Sequence, residues 1–165
     1  MLEAPPGFSM SIFESEFVVR AGLQKVWDFH ADPRSLPKIM SGPMRISVDQ
    51  VDEPVLPGSR IAMTMRVGPI RIPWNVIVRE RVAPQFFRDE QPAGEGPWTR
   101  WSHTHSFEAI DATSTRVRDR IEYEPPLGLL GKIGDAVFGR LAMQMMFVGR
   151  RRATCALLES TATQH

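Results

Sequence analysis

Through roughly the first three quarters of the chain, apolar residues recur at every second position; beyond Gly128 they recur at every third or fourth. Period two marks strands with one buried face, and a period near 3.6 marks a helix. Ser11 to Arg20 reads as a strand, with Phe13 and Phe17 on one register and Ile12 and Glu14 on the other. Leu23, Val26, Trp27 and His30 are spaced as on a short amphipathic helix, which Asp32-Pro33 ends; a second helical turn follows around Ser35 to Met40. Strand-like runs then cover Arg45 to Val51, Ser59 to Val67, Arg71 to Val82, Gln85 to Gln91, Trp98 to Ile110 and Arg116 to Glu124. In the third of these, Glu80 falls on the face of Trp74, Val76, Val78 and Val82; in the fourth, Phe87, Asp89 and Gln91 share a face.

From Leu129 to Leu158 the pattern predicts one long helix of about 30 residues and roughly 45 Å. Its apolar stripe is Leu130, Ile133, Val137, Leu141, Met145, Val148, Cys155 and Leu158, with Phe138, Ala142, Met146 and Phe147 beside it. The expected architecture is α+β: a curved antiparallel sheet of about seven strands, two short helices after the first strand, and a long C-terminal helix.

The last two strands carry an anomaly. Alternation places His103, His105 and Asp119 on the side of Trp101, Phe107, Val117, Ile121 and Tyr123. With a turn near Asp111 to Ser114, the register that keeps the apolar faces together sets Asp119 opposite or diagonal to His105. The other face then holds Arg116, Arg118, Arg120, Glu122 and Glu124.

The order of elements and a set of local motifs resemble the START-like, polyketide cyclase/dehydrase and lipid transport superfamily (SRPBCC), in a bacterial ligand-binding branch. The motifs are Val26-Trp27-Asp28-Phe29-His30 with Asp32-Pro33, Glu80 to Pro84, Phe87 to Gln91, Gly96-Pro97-Trp98, Trp101 to Phe107, Asp119 to Pro125, and Leu127-Gly128 with Leu130-Gly131. The resemblance covers about Phe13 to Leu158. It implies a helix-grip fold, in which the sheet wraps the C-terminal helix around a cavity, and binding or transport of a small hydrophobic ligand such as a lipid, polyketide, isoprenoid or aromatic metabolite.

On that expectation Trp74, Phe87, Trp101, Phe107, Tyr123, Val137, Leu141 and Met145 supply apolar walls. Glu80, Gln91, His103, His105 and Asp119 supply polar anchors, with Asp89 beside them. The methionines of the two halves (Met40, Met44, Met63, Met65, and Met143, Met145, Met146) suit either a pliable pocket lining or simple core filling. Two other uses of the polar trio compete. His105 and Asp119 would serve as an acid/base pair in a cyclase or dehydratase. His103, His105 and Asp119 would form a two-histidine, one-carboxylate metal site. A hydrogen-bonded polar end of an apolar cavity is preferred to both, and no metal or cofactor is expected.

Composition narrows the field further. Net charge is +1, and no aromatic-basic interleaving appears, so nucleic acid is not an expected partner. No phosphate loop or nucleophile elbow is present. The one cysteine, Cys155, has no partner for an internal disulfide, which favours a reducing cytoplasm; it reads as a small core residue. Residues 1–10 are expected as an arm without signal-peptide character, 11–160 as one ligand-binding domain, and 161–165 as a tail. Leu127, Leu129 and Leu130 leave room for a lid or a transient membrane contact. Arg150 to Arg152 leave room for a headgroup or acidic partner. Either a monomer or a homodimer fits the pattern.

Overall fold

The computed structural model describes residues 10–40, 43–135 and 139–159. The expected arm (but for Met10) and tail therefore lie outside the described residues, as do Val137 and Phe138. Seven strands form one antiparallel sheet: β1 Ser11–Val19, β2 Met44–Val51, β3 Arg60–Val67, β4 Ile70–Val82, β5 Phe86–Glu90, β6 Arg100–Asp111 and β7 Ser114–Glu124. Their order is β1-β7-β6-β5-β4-β3-β2, so the chain starts at one edge and crosses to the other. Helices α1 (Leu23–Ala31) and α2 (Leu36–Ile39) lie between β1 and β2; α3 (Gly128–Gly134) and α4 (Arg140–Glu159) follow the sheet.

Alternation sets which face is buried. In β6, Trp101, His103, His105 and Phe107 are buried; in β7, Val117, Asp119, Ile121 and Tyr123 are. The tight β6–β7 connection begins with Asp111, whose carboxylate accepts from the Thr113 backbone N–H at 2.8 Å, a turn that aspartate favours. This fixes the register, and His105 pairs directly with Asp119. The outward arginines of β7 are ion-paired, Arg118 to Glu16 and Glu108, and Arg120 to Glu14 and Glu122.

One strand departs from simple alternation. A bulge between Val78 and Glu80 in β4 adds a residue against β5. Past it the phase inverts: Glu80 turns outward to pair with Arg88, and Arg81 turns inward over the Trp27 ring at 5.3 Å. Glu80, expected inside, is thus on the solvent face, because period two holds only while each residue has one partner.

The described residues of the C-terminal segment are helical through Asp135 and again from Gly139, the longer described helix being the 20-residue α4; what differs from expectation is the face it buries. The entry into α3 is made by Leu127 and Gly128, both with positive φ (69° and 56°), which reverses the chain sharply after the Pro125-Pro126 end of the sheet. In α4 the buried positions are Met143, Phe147, Arg150, Thr154 and Leu158. Leu141 (57% exposed), Met145 (68%) and Val148 (49%) face solvent, as do Leu130 and Ile133. The predicted stripe was out of phase, since two of the inward positions are polar and hydropathy alone discounts them. Arg150 is therefore an interior residue, leaving Arg151 and Arg152 outside. Among the described residues no helix is long and apolar enough to cross a membrane.

Two apolar clusters result. One joins Phe17, Val19, Val26, Trp27, Phe107, Val117 and Leu158 where α1 and the end of α4 meet the sheet, with Cys155 packed against it. The other follows β2, β3 and β4 to Trp101, Tyr123, Met143 and Phe147.

Candidate functional site

A cavity of about 220 Å³ lies beside the second cluster, between the inner face of the sheet, the α1–α2 segment and α4. Its apolar part is built by β3, β4 and α4: Ile61, Met63, Met65, Trp74, Met143 and Phe147 all line it. Trp74 meets Trp101 edge to face at 5.2 Å, and Trp98, from the loop before β6, stacks on Trp101 at 5.4 Å. That loop is held by Gln91, whose Nε2 donates to the Trp98 carbonyl at 2.6 Å.

The other end is polar and largely buried. His103 and His105, two apart on β6, lie with ring centroids 3.7 Å apart at a tilt of 36°, and Phe87 of β5 stacks on His105 at 4.2 Å. Behind them Asp119 of β7, 1% exposed, draws three groups to its Oδ1: His103 Nε2 at 2.9 Å, His105 Nδ1 at 3.0 Å and Arg150 Nη2 at 3.6 Å. Arg150 Nη2 also lies 3.3 Å from His105 Nδ1. With both groups turned to the same carboxylate oxygen, they are neighbours around it and not bonded to each other. Asp89 of β5 faces the opposite side of His105, its Oδ2 3.5 Å from Nε2.

These contacts set the protonation states. Burial alone would raise the Asp119 carboxyl, but the Arg150 charge and the hydrogen bonds from both histidines hold it well below the usual carboxylate range. Burial would lower His105, yet hydrogen bonds to Asp119 and Asp89 outweigh it and the imidazole is raised above its ordinary value. Burial and the neighbouring His105 charge lower His103 to about 4 despite its bond to Asp119. Within the cluster Asp119 is thus held ionised, while His105 is shifted towards its charged form and His103 away from it.

A further histidine belongs here. His30, on the inner face of α1, lines the cavity; burial and the Arg150 charge lower it to about 4. Its Nδ1 lies 2.8 Å from the Val26 carbonyl and must carry the proton, so Nε2 is a bare acceptor. Nε2 has no partner, nor do Asp119 Oδ2, Arg150 Nε and the indole nitrogens of Trp74 and Trp101, all buried.

Of the predicted site residues, Trp74, Phe87, Trp101, His103, His105 and Tyr123 line the cavity, and Asp119 stands directly behind the histidines. Phe107 packs in the other cluster, against Trp27 at 5.7 Å. Gln91 is buried as a loop clamp, while Glu80, Leu141 and Met145 point to solvent. Sequence reasoning missed His30 and Arg150 as site residues. His30 read as part of a helix stripe and Arg150 as part of a surface charge run; the buried phase of α4, at spacings of three and four through Thr154, was the available signal. Met40, Met44, Met63, Met65, Met143 and Met146 do line the cavity.

A curved antiparallel sheet closed over a C-terminal helix, with a cavity between them, defines the helix-grip class. Residues 19–146 match the model of the family described as polyketide cyclase / dehydrase and lipid transport, and the chain belongs to that family. No curated protein matches it. Solved structures share the fold at low identity. The Zhui aromatase/cyclase from Streptomyces sp. R1128 is 16% identical, with a TM-score of 0.68 over 91% of this chain and 94% of that one. A START superfamily protein from Mycobacterium smegmatis is 11% identical, with a TM-score of 0.67 over 92% and 99%. Norcoclaurine synthase from Thalictrum flavum, in complex with dopamine and hydroxybenzaldehyde, is 13% identical, with a TM-score of 0.62 over 99% and 98%.

Proposed function

We propose that residues 11–160 act as one domain that binds a small, largely apolar molecule carrying a hydrogen-bonding group. The observation that carries this reading is the set of unpartnered buried polar groups around an apolar cavity. An interior without a ligand or water would leave His30 Nε2 and Arg150 Nε desolvated and unbonded, at roughly 1–3 kcal/mol each. A ligand whose hydroxyl donates to His30, and whose oxygen accepts from Arg150 or an indole N–H, relieves that penalty. The apolar remainder gains about 25 cal/mol per Å² buried against the methionine and tryptophan walls. The family, whose description includes lipid transport, supports a hydrophobic ligand. The test is native mass spectrometry of gently purified protein, followed by solvent extraction of anything bound. A stoichiometric apolar molecule bearing a hydroxyl, carbonyl or acid group is the expected result. A protein that is empty and takes up no such molecule from a metabolite extract would sink the proposal.

The alternative is a cyclase or dehydratase, and one arrangement favours it: Asp119 Oδ1 bonds two imidazoles whose pKa values are pushed in opposite directions. His105, raised by its contacts with Asp119 and Asp89, is fitted to donate a proton, while His103, lowered to about 4, is fitted to accept one. Turnover of a polyketide-like substrate that drops about 10²-fold or more in His105→Ala would establish this second role.

A further inference from the structure

Asp89, His103 and His105 each bring one donor atom to a common region, and these atoms all lie within 4.8 Å of one another. We propose that the three side chains bind a divalent transition-metal ion, with Asp119 orienting both imidazoles from behind. The inference goes beyond the apolar-ligand reading and stands or falls without it.

The donor geometry is the first support. In a site with bonds of about 2.1 Å, neighbouring ligand atoms sit roughly 3.0–3.4 Å apart. His105 Nε2 and Asp89 Oδ2 are already 3.5 Å apart. All three residues stand on adjacent, hydrogen-bonded strands; Asp89 and His103 are direct register partners, and His105 is two residues on from His103. The scaffold therefore fixes the three side chains relative to one another, and closing the set asks for side-chain adjustment only.

The second support is how the imidazoles are held. A ligating histidine turns one nitrogen to the metal and donates from the other to a carboxylate or carbonyl. Asp119 Oδ1 takes His103 Nε2 at 2.9 Å and His105 Nδ1 at 3.0 Å. The nitrogens left to coordinate are His103 Nδ1 and His105 Nε2, and the second of these faces Asp89. At that position a proton and a metal ion are alternatives. One buried carboxylate thus presets two ligands at once, and Arg150 keeps that carboxylate paired.

The third support is location. Asp89, His103 and His105 all line the cavity, so coordination positions not filled by the protein open onto it. Two imidazoles and a carboxylate suit zinc, iron, cobalt or nickel and are too nitrogen-rich for calcium or magnesium. An ion there would bind or polarise an oxygen of a molecule in the cavity. The sequence shows the histidine pair and Asp119 but points to Asp119 as the third ligand; the fold puts Asp119 behind the rings and Asp89 in its place.

The test is titration of metal-stripped, full-length protein with Co²⁺ alone, followed by its ligand-field absorption. One equivalent per chain is expected. Asp89→Asn and His105→Ala should each weaken binding by at least about 100-fold, and Asp119→Asn by about 10–100-fold. Glu90→Gln, a half-buried carboxylate next in the chain to Asp89 and paired with Arg79 and Arg88, should leave binding unchanged. Substoichiometric uptake by the wild type, or uptake insensitive to Asp89→Asn, would overturn the site. Should Asp89→Asn fail to fold, the wild type still decides: Zn²⁺ must shift the ring-proton NMR signals of His103 and His105, and a titration that moves neither refutes the proposal.

Discussion

Asp119 and His105 sit directly opposite each other across the β6–β7 ladder, with Oδ1 and Nδ1 3.0 Å apart in the buried interior. A register slip of one residue between the strands would turn one of the two to solvent and break the pair, so the turn at Asp111 and Thr113 governs the site as much as the side chains do.

Removing the Asp119 carboxylate should destabilise the fold strongly. Asp119→Ala leaves the Arg150 and His105 charges buried without their shared partner, a loss of about 3–5 kcal/mol. Urea unfolding of the variant against wild type measures it. A loss below about 1 kcal/mol would mean that water already reaches this end of the cavity.

The buried histidines set a pH dependence whose sign follows from their shifts. His30 and His103 are lowered to about 4 from 6.5. An unfolded chain takes up these protons near 6.5, the native one near 4. The stability they allow is therefore complete above 6.5 and declines as pH falls to 4, by up to roughly 3 kcal/mol each. His105, raised, acts oppositely: its contribution is complete below 6.5 and is lost as pH rises through its native value. Because these slopes oppose each other, the check is a difference. The stability gap between wild type and His30→Gln should narrow from about pH 7 to about pH 4.5. A constant gap would show that His30 is not held neutral.

Filling the cavity should weaken binding while decorating the outer face of α4 should not. Met63→Trp places bulk among the walls and should weaken an apolar probe by about tenfold or more, at a stability change of about 1–3 kcal/mol. Met145→Gln should leave affinity alone and shift stability by no more than about 0.5 kcal/mol. Quenching of the three cavity tryptophans, Trp74, Trp98 and Trp101, reports both. Equal effects of the two substitutions would put the ligand elsewhere.

The bulge in β4 makes neighbouring residues behave unlike each other. Glu80→Ala removes a surface ion pair and should change stability by less than about 1 kcal/mol, without effect on binding. Arg81→Ala loses the contact over Trp27 and a bond to the Ala31 carbonyl, and it alters a cavity wall. It should therefore affect both readouts. Reversal of that order would mean the strand runs without its bulge.

Most of the fold was legible because alternation and turn residues agree along the chain, and keeping two apolar faces together placed Asp119 opposite or diagonal to His105, of which the ladder takes the first. Glu80 failed because a bulge leaves no mark in period-two hydropathy. The phase of α4 failed for a different reason. Leu141, Met145 and Val148 are apolar yet exposed, while Arg150 and Thr154 are polar yet buried, so a hydrophobic stripe traces the wrong face. Arg150 is inside because Asp119 needs a cation, and that demand appears only when strand and helix are brought together.

The sheet order has a last consequence for how such a chain can diversify. The polar cluster comes from β5, β6, β7 and single residues of α1 and α4, while the aliphatic and thioether walls come mainly from β2, β3 and β4 at the other side of the sheet. Substitutions on β3 can redraw the contour of the chamber without disturbing a single member of the polar cluster. The two halves are separate evolutionary dials, one for shape and one for chemistry, turned independently on the same frame.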